Sequence, residues 1–255
     1  MKNTVSPDWR DIPAALALLT RLPLPASLAR HFDRGAQAAW AYPLAGVAVA
    51  IAGTLGALPL LAFGLPTGAA AITSLAAMIL VTGALHEDGL ADTVDGLWGG
   101  WTRERRLEIM RDSHIGSYGV IALVLSLLAR WFALTSIWAM PGVFQAIGAL
   151  ITAAALSRAV MPVLMATLPH ARSDGLSRQV GRAPPYAAWL AVLLALVIAV
   201  ICSGSAALGP VIVALLAGLT LRWLARSKIG GQTGDILGAG QQLAEVAVLF
   251  ALIPG

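Results

Sequence analysis

Long apolar segments alternate with short polar ones along this chain. A helix needs about 20 apolar residues to cross the hydrocarbon core of a bilayer, and seven segments approach that length. They cover residues 38–63, 67–85, 117–139, 143–167, 186–203, 206–225 and 239–254. Within lipid only helices and closed barrels satisfy their own backbone hydrogen bonds. The pattern predicts an all-α, polytopic transmembrane helix bundle with about 6–7 spanning helices, forming a single domain over residues 1–255.

Composition agrees with a membrane setting. Hydrophobic residues make up 58% of the chain and charged residues 12%, well below the roughly 25% of soluble domains. The net charge is +4, but no basic run carries interleaved aromatic residues, so nucleic acid is not the expected partner. The single cysteine, Cys202, excludes an intramolecular disulfide. Near the N-terminus, the two prolines of Thr20–Pro25 are expected to end a short helix at the membrane surface.

Positive charge is distributed unevenly among the connections. Of the 17 Lys and Arg residues, 15 lie in the N-terminal segment and in the segments 86–116, 168–185 and 222–238. The connections without any charged residue are 64–66, 140–142 and 204–205. Because cytoplasmic loops carry the excess of Lys and Arg, we predict that the N-terminus and every substantial loop face the cytoplasm.

Acidic residues concentrate in one segment, since seven of the 13 fall between residues 86 and 116. Asp88, Asp92 and Asp95 are spaced i, i+4, i+7 after an apolar span, which puts three carboxylates in one stripe of a helix. Adjacent carboxylates repel unless a cation lies between them, and hard oxygen ligands suit Mg²⁺ or Mn²⁺. The spacing predicts a metal site; a solvated acidic face is the alternative.

The segment MRDSHIGSYG adds groups that suit a phosphate. Arg111 brings a positive charge, and a turn with Ser113 and Gly116 opens the next span. The exposed N–H groups of a helix N-terminus bind anions. We therefore interpret these three as candidate substrate-binding residues, with a plain helix cap as the alternative.

Two arginines and a glycine-rich segment complete the candidate chemistry. Arg130 and Arg158 lie within predicted spans, where each must face the bundle interior or pair with an acid. Structural pairing is one reading, and for Arg158 a phosphate clamp is the other. Before the last span, SKIGGQTGDILGAG surrounds Asp235 with glycines and resembles a phosphate-binding turn in composition. Gly231 and Thr233 are its candidate substrate-binding residues.

Longer motifs resemble one family. DGLADTVDG (Asp88–Gly96), EIMRDSHIGSYG (Glu108–Gly119) and GGQTGDILGA (Gly230–Ala239), with LLTRLPLP near the N-terminus, resemble cobalamin synthase, adenosylcobinamide-GDP ribazoletransferase, over almost the whole chain. The resemblance implies a Mg²⁺-dependent enzyme of the bacterial inner membrane. It would join adenosylcobinamide-GDP to α-ribazole, or its 5′-phosphate, and release GMP. From the resemblance we would expect an apolar residue where Glu87 stands and an acid where Gln242 stands.

The resemblance and the residues together give a mechanistic hypothesis of phosphoryl transfer beside clustered carboxylates. Its residues are Asp88, Asp92, Asp95 and Asp112 for one or two Mg²⁺ ions, Arg111 and Arg158 for the diphosphate charge, and Asp112 or Asp235 for the general base. The expected partners are the two small-molecule substrates and membrane lipid, and the sequence is compatible with a homo-oligomer.

Two other functions remain open from the sequence. Asp92, Asp95, Glu108 and Asp112 resemble in spacing the CDP-alcohol phosphotransferases, although Gly99–Gly100 replaces the Ala-Arg of that family. A transporter is the non-enzymatic alternative, because charges occur within the spans. It is disfavoured by the lack of a two-fold repeat and by the concentration of charge in the loops.

Overall fold

The fold is helical in every regular element that is described. The computed structural model describes residues 6–25 and 32–254, except the side chains of residues 32 and 33. The α-helices are α1 (Asp11–Leu19), α2 (Tyr42–Ala62), α3 (Thr67–Thr82), α4 (Leu85–Gly99), α5 (Arg103–Ile109), α6 (Ser117–Trp138), α7 (Val143–Thr167), α8 (Leu176–Val180), α9 (Pro185–Ser203), α10 (Leu208–Lys228) and α11 (Gly234–Ala251). Two 3-10 helices cover Phe32–Ala41 and Gly204–Ala207. The all-α prediction is confirmed.

The number of long apolar helices differs from the sequence count. Among the described residues, four stretches are long and apolar enough to cross a membrane, or five if α3 and α4 form one bent span. They are Arg34–Ala62, Ser117–Trp138, Val143–Thr167 and Pro185–Lys228. The last has 44 residues and contains both α9 and α10, which the sequence counted as two spans. Helix α11, which carries Glu245, is not among the four.

A sharp bend separates the apolar helix α3 from the acidic helix α4. The two axes differ by 86°. The joint consists of Gly83 (φ +63°) and Ala84 (φ +58°), both left-handed. Glycine adopts this conformation readily, whereas alanine does so rarely. The bend directs α4 away from the axis of α3, so the aspartates lie on a helix, as their spacing predicted, but on one that turns across the bundle.

Helix α7 is the centre of the bundle. Most of its residues are buried, as expected for a helix at the core. It packs against α2, α9 and α11. Gly46 of α2 faces the carbonyl of Ala154 so closely that any side chain at residue 46 would overlap it. Gly46 therefore allows the close packing of α2 against α7, as small residues do between membrane helices.

The charged loops meet at one end of the bundle, which we call the polar end and which comprises residues 100–116, 168–184 and 229–233. Arg103 joins all three, because its Nε donates to the carbonyl of Ile229 at 2.9 Å and its Nη2 to that of Ala171 at 2.6 Å. The backbone N–H of Ala171 donates to the carbonyl of Gln232 at 2.9 Å. The loops that the charge pattern grouped on one side of the membrane are thus in contact.

Helices α4 and α11 cross where Gly89 faces Gly238. A Cβ added at Gly89 would lie 2.9 Å from the carbonyl oxygen of Asp235 and 3.2 Å from the Cα of Gly238. Such distances require the two backbones to separate. The crossing therefore sets the distance between the acidic face of α4 and the start of α11.

We expect Gly89→Val to loosen this crossing. Overpacking of a tight contact costs about 1–3 kcal/mol, so the thermal unfolding midpoint of the purified protein should fall. Gly209→Val is the matched control, because no atom lies within 4 Å of a Cβ added there. Equal midpoints for the two variants would contradict this account of the crossing.

Candidate active site

One cavity at the polar end brings together acidic and basic groups that are far apart in sequence. Asp88 from α4, Asp235 from the start of α11 and Arg172 from the polar end line the same cavity of about 240 Å³. Much of the remaining wall is apolar and includes Tyr42 and Met165. The cavity therefore combines a charged rim with an apolar interior, as ligand-binding sites commonly do.

Asp235 is held in place by two neighbours. Its Oδ2 lies 3.0 Å from Arg172 Nη2 and accepts a hydrogen bond from Thr233 Oγ1 at 3.0 Å. Thr233 is also the N-cap of α11, since its Oγ1 accepts from the N–H of Ile236 at 3.2 Å. Burial raises the pKa of Asp235, and the charge of Arg172 opposes that shift only in part. Asp235 is thus a fixed carboxylate with a greater affinity for a proton than an exposed one.

Asp88 and Asp92 form no ion pair with any residue that the structure describes. Among the described residues, neither side chain accepts a hydrogen bond or forms an ion pair. Asp92 is close enough to Asp88, Asp235 and Asp95 for each of their charges to act on it. An uncompensated pair one helical turn apart is the arrangement that a cation stabilises.

Asp88 and Asp92 fit a Mg²⁺ site in which substrate phosphates would supply the remaining ligands. In the part of the chain that the structure describes, no three His, Cys, Asp or Glu side chains are grouped so that they alone hold a metal ion. Mg²⁺ usually keeps several waters and is bound through one or two carboxylates together with substrate phosphates. Asp88 and Asp92 supply such a carboxylate pair, with Asp235 on the facing helix.

Asp95, which the sequence grouped with the metal ligands, is engaged elsewhere. Its Oδ2 accepts from the N–H of Gly116 at 2.7 Å and its Oδ1 from the N–H of Gly119 at 2.8 Å. Its carboxylate therefore caps the N-terminus of α6 and is buried there, with 6% of the residue exposed. Gly116 is correspondingly a capping partner, because a Cβ there would lie 2.5 Å from Asp95 Oδ1. The helix-cap reading of this turn fits both residues better than ligand binding.

We expect Asp95→Asn to affect stability more than metal dependence. Asparagine offers one acceptor oxygen and presents an NH₂ group to the second amide, so one charge-assisted hydrogen bond is lost at a cost of about 1–3 kcal/mol. The unfolding midpoint should fall while the Mg²⁺ concentration that gives half-maximal activity stays unchanged. A higher half-maximal Mg²⁺ concentration with an unchanged unfolding midpoint would show that Asp95 is a metal ligand.

The loop between α5 and α6 lies on the surface. Arg111 forms an ion pair with Asp174 that links this loop to the segment after α7. Asp112 is exposed, and His114 Nδ1 lies 2.6 Å from its Oδ1; this hydrogen bond lowers the pKa of Asp112. Ser113 is exposed as well. None of these residues lines the cavity of Asp88 and Asp235.

Arg158 lies in a buried polar cluster instead of the cavity. Its Nη1 is 3.4 Å from Glu245 Oε2 and donates to the carbonyl of Ala154 at 3.1 Å. Arg130 Nη1 is 2.9 Å from Glu87 Oε1 and 3.5 Å from Glu245 Oε1. Arg158 Nη1 thus makes one contact within its own helix and one with Glu245, and Arg158 does not line the cavity of Asp88 and Asp235, so its role as a phosphate clamp stays a prediction. The structural-pairing interpretation holds for both arginines.

Glu87 and Gln242, the two residues that differ from what the resemblance led us to expect, meet in this cluster. Gln242 Nε2 donates to Glu87 Oε1 at 3.2 Å. The cluster thus contains two arginines and two glutamates and is formally neutral.

Sequence reasoning missed Arg172. It lies in the short segment PHARSDG, where no recognised motif marks it. Its position follows from pairing of two loops, in which the N–H of Gln232 donates to the carbonyl of Pro169 at 2.8 Å. Gly231 permits that pairing, because a side chain there would overlap the Pro169 carbonyl. Gly231 and Thr233 therefore contribute through backbone approach and helix capping, and their roles in substrate binding stay predictions.

Long apolar helices that could cross a membrane, with a carboxylate-lined cavity at the polar end of the bundle, place the protein in the class of helical membrane proteins. The sequence model of the Cobalamin-5-phosphate synthase family matches residues 11–253. The chain belongs to that family.

Curated relatives agree over nearly the full length. The chain is 46% identical over 241 residues to the adenosylcobinamide-GDP ribazoletransferase of Bradyrhizobium diazoefficiens, covering 94% of this chain and 92% of the relative. It is 45% identical over 251 residues to the protein of the same name from Azorhizobium caulinodans, covering 95% of each. For the relative from Mesorhizobium japonicum, the identity is 43% over 94% of this chain and 91% of that protein. No solved structure matches.

Proposed function

We propose that this protein is an adenosylcobinamide-GDP ribazoletransferase, which joins adenosylcobinamide-GDP to α-ribazole, or its 5′-phosphate, and releases GMP. Membership of the Cobalamin-5-phosphate synthase family over residues 11–253 is the observation that carries the proposal. The cavity supports it, because Asp88, Asp235 and Arg172 at its charged rim suit the reacting phosphate of a phosphate-linked substrate and a divalent cation.

The protein is proposed to lie in the inner membrane of a bacterium, with the polar end in the cytoplasm. The distribution of Lys and Arg supports this orientation, since 15 of 17 lie in the N-terminal segment or in the predicted cytoplasmic segments. Nucleotide substrates would then reach the cavity from the cytoplasm.

The reaction is a substitution at phosphorus. A hydroxyl of α-ribazole attacks the phosphorus that is attached to the corrinoid side chain, the bond from that phosphorus to the bridging oxygen breaks, and GMP leaves with that oxygen. Asp88 and Asp92 would hold Mg²⁺, which neutralises charge on the phosphate oxygens when bound. Arg172 presents a second positive group to the same cavity. The chain contributes mainly positioning and charge, as is general for phosphoryl transfer.

Asp235 is the proposed acceptor of the hydroxyl proton. It faces the cavity, and burial raises its pKa, which increases its basicity. Asp112 was the other candidate, but it lies on the exposed loop and its hydrogen bond to His114 lowers its pKa. The comparison of the two environments therefore favours Asp235.

Donor choice separates the proposed activity from the alternatives. Purified protein in lipid vesicles with Mg²⁺ and α-ribazole should consume adenosylcobinamide-GDP and produce GMP, and it should leave a CDP-linked lipid donor with an alcohol acceptor untouched. Turnover of the CDP-linked donor alone would favour a CDP-alcohol phosphotransferase. If labelled corrinoid crossed the sealed vesicles without chemical change, transport would be the function.

A further inference from the structure

Asp88 lies on the boundary between two cavities. The first is the cavity of about 240 Å³ that Asp235 and Arg172 also line. The second, of about 610 Å³, lies between the end of α1 and the bend from α3 to α4. Leu18, Leu85 and Asp88 line both. A transferase that joins two substrates needs two sites that share the reacting position, and Asp88 is the charged residue common to these two.

Arg21 is the basic residue of the second cavity. It belongs to the motif LLTRLPLP, which contributes no residue to the proposed metal site or to the buried polar cluster. Its backbone N–H donates to the carbonyl of Val81 at 2.6 Å, which fixes the end of α1 to the bend. Its side chain crosses Gly83 so closely that any side chain at residue 83 would overlap Arg21 Nε. The protein therefore positions this arginine through backbone and steric contacts.

The guanidinium of Arg21 has no partner within residues 6–25 and 32–254. Among the described residues it forms no ion pair and donates no side-chain hydrogen bond, although Asp88 lines the same cavity. The two opposite charges are further apart than the 4.0 Å of a salt bridge. Arginine binds phosphate oxygens with several N–H groups at once. A phosphate between Arg21 and a cation on Asp88 would satisfy both groups.

The first cavity differs in chemistry. Leu19, Met161, Met165 and Leu237 form much of its wall, and Tyr42 adds an aromatic surface. Methionine side chains adapt to flat ring systems and make favourable sulfur–aromatic contacts. This wall suits an aromatic base far better than a diphosphate.

Resting on the proposed function, we propose that Arg21 binds the diphosphate of the GDP-linked donor in the second cavity, while the aromatic base of the acceptor occupies the first. The acceptor hydroxyl then approaches the phosphorus from the side of Asp235, where its proton is taken up. GMP departs on the side of Arg21. The attacking hydroxyl of the acceptor and the leaving oxygen of GMP thus lie on opposite sides of the reacting phosphorus, as in-line substitution requires.

GDP is the ligand that tests this site without turnover. GDP binding to the purified protein with Mg²⁺ should be about 10- to 100-fold weaker for Arg21→Gln, because the charge-assisted hydrogen bonds to phosphate are lost. Arg21→Lys keeps the charge and should retain part of the affinity. Arg10→Gln is the matched control, since Arg10 lies over the ring of Trp9 and lines neither cavity. Unchanged GDP affinity in Arg21→Gln would overturn the inference.

A second measurement uses the wild-type chain and so does not depend on how the variants fold. Modification of Arg21 by an arginine-selective dicarbonyl, followed by mass spectrometry, should slow about tenfold when GDP binds with a tenfold excess over its Kd. Modification of Arg10 should not change, and α-ribazole should not protect Arg21. Equal modification of Arg21 with and without GDP would refute the assignment.

Steady-state kinetics and product release test the nucleotide site at Arg21 separately from the proposed transferase activity. Arg21→Gln should raise the KM for the donor and leave the KM for α-ribazole unchanged; the reverse pattern would exchange the two sites and contradict the inference. If the wild-type protein bound GDP at Arg21 but released no GMP from the corrinoid donor, the proposed function would be wrong, whereas the assignment of a nucleotide site to Arg21 would be supported. If it released GMP without protection of Arg21, only the site would fail.

Discussion

Asp92→Asn should reduce the rate of GMP release by about 100- to 1000-fold, the usual effect of losing one group that stabilises a developing charge. The substitution keeps the shape of the side chain and removes its negative charge. Asp92 and Asp88 are the carboxylates of α4 without a described hydrogen bond or ion pair, so the loss falls on the proposed cation and on no internal contact. The unfolding midpoint should therefore stay the same or rise.

Glu108→Gln is the matched control for this prediction. Glu108 is an exposed carboxylate of the same acidic segment, but its described partner is Arg105, at 2.8 Å on the surface of α5. Exposed pairs of this kind contribute little, so GMP release and its Mg²⁺ dependence should match the wild type. Turnover and Mg²⁺ dependence that are equal in Asp92→Asn and the wild type would remove Asp92 from the site.

Glu245→Gln should cause the largest loss of stability, about 3–5 kcal/mol, because it leaves buried positive charge without compensation. Glu245 is 1% exposed and contacts Arg130 at 3.5 Å and Arg158 at 3.4 Å. After the substitution, Glu87 is the one carboxylate left to balance two arginines in this cluster. Unfolding of the purified protein in mixed micelles, followed by helicity, measures the change.

A double variant tests whether the loss of stability comes from the unbalanced charge. In Glu245→Gln with Arg158→Leu, one arginine and one glutamate remain, and Arg130 keeps its 2.9 Å contact with Glu87. The double variant should recover part of the stability that the single variant loses, which is the coupling expected of residues in one network. A double variant less stable than the sum of the two single effects would show that packing, and not charge balance, governs the cluster.

The helices and the position of the acidic face could be predicted from sequence because both are local. The length of an apolar segment indicates a membrane helix, so α6 and α7 could be predicted. The i, i+4 spacing places Asp88 and Asp92 on one face of a helix, which is where they lie on α4. The bend before α4 could not be predicted. It depends on Ala84 in a left-handed conformation that its side chain disfavours and that the surrounding packing maintains.

The partners of charged residues were harder to predict, because they come from distant segments. Asp95 shares the spacing of Asp88 and Asp92, yet its side chain reaches the amides of Gly116 and Gly119. Arg158 was interpreted as a clamp because nothing in its own span reveals that Glu245 faces it. Residues with identical local patterns thus acquired different roles through the packing of helices, which a single sequence does not specify.

The amount of GMP released per corrinoid consumed tests the central claim most directly. Wild-type protein in lipid vesicles, given adenosylcobinamide-GDP, α-ribazole and Mg²⁺, is expected to release one GMP for each corrinoid joined to the acceptor, and to release none when the acceptor or the metal is omitted. A protein that retains its helical content and leaves adenosylcobinamide-GDP intact under these conditions would contradict the account.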